Sequence, residues 1–139
     1  MEMETPMRRA LALIVPVLVA VACAPEGGET VRTYFPDGDP VTGRQAFTEM
    51  ACYVCHTVVG DTFPEPHASP PVPVELGPDL ASMSRGVMVE SIIAPSHRIP
   101  EDLEGVRRGE LSRMGDYSEA MTVRQLIDIV AYLEHLGRQ

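Results

Sequence analysis

The sequence predicts an all-α domain, and three observations carry that reading. The chain closes on a strong helical stripe in MTVRQLIDIVAYLEHLG, where Leu126, Ile129, Val130, Leu133 and Leu136 share one face. Two shorter stretches repeat the helical period, and none shows sustained period-2 alternation. Apolar residues make up 45% of the chain, yet it holds only three Phe, four Tyr and no Trp. A core with so little aromatic volume is easier to pack if something other than side chains fills its centre.

The length of 139 residues allows one domain and little else. Formal net charge is -9, with eleven Arg and no Lys. Such a chain repels phosphates, which sets nucleic-acid binding aside, and its acidity favours basic partner surfaces.

Residues 1–22 read as an export signal. Arg8 and Arg9 precede the apolar run ALALIVPVLVAVA, which is too short and too interrupted by Pro16 to span a membrane as a helix. VAVAC, with small residues before Cys23, resembles a bacterial lipobox, in which the cysteine becomes the lipidated first residue; Ala20 stands where such motifs usually carry Leu. Lipidation of Cys23 also gives the odd cysteine a use and leaves Cys52 and Cys55 as a pair. Several acyl chains, at roughly 0.8 kcal/mol per buried methylene, make a stable anchor. The protein is therefore expected on the periplasmic side of a bacterial membrane, held by lipid; the alternative is an ordinary export signal cut after an A-x-A pattern, with Cys23 an incidental thiol and the protein soluble in the periplasm. Ala24 in place of Asp points to the outer membrane of a Gram-negative host.

Residues 23–38 are rich in Gly, Pro and charge and read as a tether; residues 39–139 form the domain. Asp39 is suited to cap a helix with Pro40 at its first position. Gly43, Ala46, Phe47 and Met50 then follow at helical spacing and lead into CYVCH. The Pro-rich stretch 57–76 has no period and is expected to be loop. A second helix is predicted from about Ser84 to Ala94, ending at Pro95. Residues 95–120 read as loop, with a turn of helix around Glu101 to Arg108. Thr122 and Gln125 have capping-box spacing, Met121 and Leu126 fit a hydrophobic staple, and Gly137 ends the last helix.

CYVCH, residues 52–56, opens four possibilities: a disulfide loop, a zinc knuckle, a thioredoxin-like redox pair or haem attachment. A redox pair belongs in a βαβ setting that this sequence does not offer. A structural zinc needs four ligands, and His67, His97 and His135 are scattered without ligand spacing. A disulfide leaves His56 unexplained. Haem attachment explains all three residues: Cys52 and Cys55 form thioethers to the two vinyl groups, and His56 lies beneath the iron. Export fits, because such haem is attached outside the cytoplasm.

From Asp39 to Leu136 the sequence resembles the class I, mono-haem c-type cytochromes. The motifs occur in the family's order: Gly43 and Phe47 on the first helix, CYVCH, LGPDL at 76–80, RMGDY at 113–117 and VAYL at 130–133. The resemblance implies three to five helices around one covalently attached haem c, with Gly43 and Phe47 packed near Tyr132. It implies that the Pro78 carbonyl accepts the Nδ1 proton of His56, fixing the tautomer. It also implies Met114 as the second axial ligand, although Gly115 stands where the family usually has Pro. Axial Met raises the reduction potential relative to two axial histidines. His97, in PSHRI, is the rival ligand. Met83 and Met88 read as core filler on the second helix, and Met121 as the staple.

The function expected is a one-electron carrier between exported redox proteins, not an enzyme. One alternative is a cytochrome subunit of a larger periplasmic oxidoreductase, with residues 63–77 as a contact surface. Another is a haem enzyme or gas sensor with an open iron site. Arg107, Arg108 and Arg113 form either a docking patch, partners for the haem propionates or a solvated loop.

Overall fold

Asp39 begins the fold by accepting the Thr42 N–H at 2.8 Å, capping α1 (Pro40–Glu49), which starts on proline. The computed structural model describes residues 35–67, 73–101 and 103–139. The leader expected over 1–22, Cys23 and most of the expected tether lie outside the described residues. Phe35 packs against the core and Gly38 meets α3, so the last residues of the expected 23–38 segment belong to the packed domain.

Among the described residues, three α-helices and two 3₁₀ turns supply most of the regular structure. α1 buries Gly43, Ala46 and Phe47. α2 (Arg85–Ile93) is capped by Ser84, stops at Ala94 before Pro95, and buries Met88, Val89 and Ile92. α3 (Val123–Leu136) has the full capping box, with Gln125 N–H donating to Thr122 Oγ1 at 3.2 Å and Thr122 N–H to Gln125 Oε1 at 3.0 Å. Its stripe is the centre of the core, where Ile129 and Val130 are fully buried.

α1 and α3 touch backbone to backbone because glycine allows it. A Cβ added at Gly43 would stand 1.9 Å from the Asp128 carbonyl oxygen. The same crossing gives buried Asp128 its partner, the Asp39 N–H at 2.9 Å, so this carboxylate is not left unsatisfied in the core. α2 is fastened to α3 by a two-point ion pair, Arg85 to Glu134, with both contacts at 2.8 Å.

Gly137 ends α3 for a reason other than chain reversal. Its φ is -63°, and a Cβ there would lie 2.7 Å from the Ala81 nitrogen, so glycine lets α3 close on the 3₁₀ turn Pro78–Ser82.

Four short strands depart from the all-loop expectation between the helices. β1 (His56–Val58) and β2 (Val74–Leu76) pair in parallel, with His56 opposite Val74. This ladder closes the Pro-rich excursion and returns the chain beside CYVCH, with Val74 N–H donating to the Cys55 carbonyl at 2.9 Å. β3 (Arg107–Arg108) and β4 (Leu111–Ser112) make a hairpin where a turn of helix was expected. Gly109, at φ +63°, takes the first position of its two-residue loop, and Gly105 at φ +76° breaks any helix before it.

Candidate haem site

Ala51 turns the chain from α1 into the CYVCH segment at φ 55°, a left-handed conformation costing roughly 1–2 kcal/mol outside glycine. The reversal starts the 3₁₀ turn Cys52–Val54, and Cys55 N–H donates back to the Cys52 carbonyl at 3.1 Å. Both thiols thus reach the wall of one cavity of about 690 Å³. That is within the range of small-molecule and cofactor pockets.

The wall combines the predicted motif with the far end of the chain. Cys52, Cys55 and His56 share it with Met114, which leaves β4, and with Leu80, Ile129 and Leu133 from the core. Met83, Met88 and Met121 also line it. Few aromatics and four methionines leave a soft, apolar space inside the domain, in keeping with the aromatic-poor composition.

Each alternative reading of CYVCH meets a structural observation. Cys52 and Cys55 are free thiols, so no disulfide closes the loop. Among the described residues no three His, Cys, Asp or Glu side chains converge to hold a metal ion, which removes the zinc knuckle. Burial pushes the Cys52 thiol up to about 11. An activated redox cysteine needs the opposite shift.

His56 is half-buried, and one ring nitrogen asks for a partner. Its Nδ1 is enclosed and has no hydrogen-bond partner, an arrangement that costs about 1–3 kcal/mol when nothing else satisfies the ring. Burial lowers its pKa and the Val74 backbone opposes that shift, so the ring is held neutral. Neutral imidazole is the form that ligates a metal. The Pro78 carbonyl does not accept this nitrogen. Pro78 is exposed at the first position of its 3₁₀ turn, outside the cavity wall, while the β1–β2 register sets His56 beside Val74.

The rival ligands separate cleanly. His97 is 75% exposed, pairs with Glu90 and is absent from the cavity wall. His67 and His135 are exposed and also outside it. Met114 is half-buried in the wall.

Arg107 and Arg113 turn to backbone carbonyls. Arg107 donates to the Ile99 carbonyl at 3.0 Å and Arg113 to the Arg107 carbonyl at 3.0 Å. Arg113 also reaches the wall, whereas Arg108 is simply exposed. Two wall residues, Arg98 and Tyr117, carry no local signal of a role in the sequence. Their only pointers are their neighbours: Arg98 follows His97 in PSHRI, and Tyr117 ends the motif RMGDY. Burial raises the Tyr117 pKa.

A cavity lined by the paired cysteines, a neutral, half-buried imidazole and a methionine offers a donor set suited to haem iron. The family model described as Cytochrome c matches residues 40–137. The chain belongs to the cytochrome c family. None of the curated proteins matches it. Membership makes this cytochrome a haem-binding electron-transfer protein, with iron as the redox metal, and the match covers the domain from α1 to the end of α3.

Proposed function

We propose that this cytochrome is an exported class I carrier with one covalently attached haem, passing single electrons between periplasmic redox proteins. The observation that carries the reading is the shared wall: Cys52, Cys55, His56 and Met114 line one cavity of about 690 Å³. Haem bound there supplies reversible one-electron chemistry at its iron.

The chain's own residues account for the rest. Cys52 and Cys55 would hold the macrocycle by thioethers. His56 offers its neutral ring, and Met114 brings a thioether sulfur from the loop after β4. If His56 and Met114 both held the iron, no site would be open for substrate, which favours the carrier over the enzyme or sensor. Leu80, Met88, Ile129 and Leu133 keep water from the centre. Residues 1–22 direct export, and lipid on Cys23 anchors the domain to the membrane through residues 24–34.

Optical spectra of the purified mature protein test this reading. A near-infrared band that reports an iron–methionine bond, present in the parent and lost in Met114→Ala, is the expected result. A high-spin parent that binds carbon monoxide readily would overturn it in favour of an open site.

A further inference from the structure

Gly115 gives the loop that carries Met114 no stiffness of its own. A Cβ there would meet only the Tyr117 ring edge, at 3.9 Å. The stiffness comes from side chains. Ser112, the last residue of β4, donates its N–H to Ser96 Oγ at 3.1 Å, sixteen residues away on the turn after α2. Its own Oγ accepts the Met114 N–H at 3.1 Å. A hydroxyl bonded to the N–H two residues on holds the backbone in a tight turn. Arg113 N–H, between them, donates to the Val106 carbonyl at 2.8 Å. Beyond Gly115, the Tyr117 carbonyl accepts Ala120 and Met121 N–H at 3.1 and 3.0 Å, fixing the other flank to the start of α3.

We infer that Ser112, braced by Ser96, is the positioning residue that directs Met114 into the cavity, doing what a rigid residue after Met114 would otherwise do. The inference rests on the reading of Met114 as the second axial ligand. Ser112 itself lines the cavity wall, but in this role it is not a ligand. It acts through the Met114 peptide, whose N–H direction sets where the side chain leaves the backbone. Without that bond Gly115 lets the loop sample other turns, and the Met114 sulfur leaves the iron more often. Ser96 matters because it holds Ser112 against the turn after α2, so that the hairpin does not lift with the loop.

The test uses the haem-loaded protein and four variants: Ser112→Ala, Ser112→Thr, Ser96→Ala and Met114→Ala. Readouts are the near-infrared band, the temperature at which it disappears, the carbon monoxide binding rate of the reduced protein and the far-ultraviolet unfolding midpoint. One lost hydrogen bond at a half-buried site predicts a rise of about three- to tenfold in carbon monoxide binding for Ser112→Ala. The band should vanish at a lower temperature while the unfolding midpoint stays at the parent value. Ser96→Ala should move the same way by less, and Ser112→Thr, which keeps the hydroxyl, should restore parent behaviour. Ser112→Ala and Ser96→Ala matching the parent while Met114→Ala loses the band would overturn the positioning role alone. Band loss and unfolding falling together in both serine variants would overturn it equally. A band retained in Met114→Ala would remove the axial reading itself, and the inference with it.

Discussion

The phenol of Tyr132 on α3 donates a 2.7 Å hydrogen bond to Oδ2 of Asp61, just beyond β1. The same carboxylate receives Arg44 from α1, through Nε at 2.7 Å and Nη2 at 2.8 Å. Arg44 also donates to the Thr62 carbonyl and lies 4.7 Å over the Phe63 ring. The two crossing helices and the segment that follows CYVCH therefore meet on one side chain. The Tyr132 ring stands 5.6 Å from Phe47, whose own ring is 6.5 Å from His56. Whatever loosens Asp61 acts within two ring contacts of His56.

Acid should release this knot. Hydrogen bonds from Arg44, reinforced by Tyr132 and opposed by burial, hold the Asp61 carboxyl down to about 2 from 3.8. A folded-state value below the unfolded one adds stability above pH about 4, and that stability is lost as pH falls toward about 2. Its size is about 2 kcal/mol or less, because Arg44 is 43% exposed and solvent screens the pair. Asp61→Asn should lower the unfolding midpoint at neutral pH and narrow its gap to the parent near pH about 3. Tyr132→Phe leaves the Arg44 pair intact and should cost about 1 kcal/mol at neutral pH and somewhat less near pH about 3. Equal destabilisation by Asp61→Asn across the whole range would show that the carboxylate's charge is not the stabilising feature.

The α1–α3 crossing should be intolerant of a single methyl group. In Gly43→Ala the new Cβ stands 1.9 Å from the Asp128 oxygen and 2.9 Å from the Tyr132 Cβ. α1 must lift away, taking the Asp39–Asp128 and Arg44–Asp61 contacts with it. Denaturant unfolding should register a loss of about 3 kcal/mol or more, at the upper end for overpacking. Gly86→Ala is the control. Nothing lies within 4 Å of that position on α2, so it should be neutral or stabilise by up to about 1 kcal/mol through helix propensity.

The contrast between those two glycines shows what the sequence makes legible. Asp39, Thr122 and Gln125 and the apolar stripes announce the helices because caps and periodicity are local signals, and the three helices among the described residues form where those signals stand. The β1–β2 and β3–β4 pairs are two or three residues long, too short for alternation to register. Their pairing depends on partners as distant as Val74 is from His56. The paired cysteines and His56 are visible because the C-x-x-C-H spacing is a local signal. The remaining wall, from Val74 to Leu133, is gathered largely from loops and turns that carry no period. The expected Pro78 contact is absent, since His56 Nδ1 has no hydrogen-bond partner, and such a long-range contact is encoded by no local pattern.

His97 should prove dispensable for the metal site. It is 75% exposed and its partner is Glu90, which is not in the cavity wall that Met88 and Ile92 of the same helix help to form. His97→Ala should therefore leave the oxidised and reduced spectra of the haem-loaded protein unchanged. His56→Ala should lose the low-spin spectrum altogether. A shift of the near-infrared band in His97→Ala would place that histidine on or beside the iron and displace Met114 from the role.

Retention of haem after denaturation decides the chemistry of CYVCH itself. Cys52 is partly buried with its thiol pushed up to about 11, and Cys55 is exposed, yet both open on the same cavity. Thioether formation at each would give the parent a haem that survives a denaturing gel and stains with the polypeptide. Cys52→Ala and Cys55→Ala should each keep the stain through the remaining bond, with the reduced spectrum shifted toward that of a haem retaining one vinyl group. The double variant should lose the stain while His56 still binds haem reversibly in the folded state. A parent that releases its haem on denaturation would mean that the two cysteines do not hold it. The match to the cytochrome c family would then describe the fold and the axial histidine, but not the attachment.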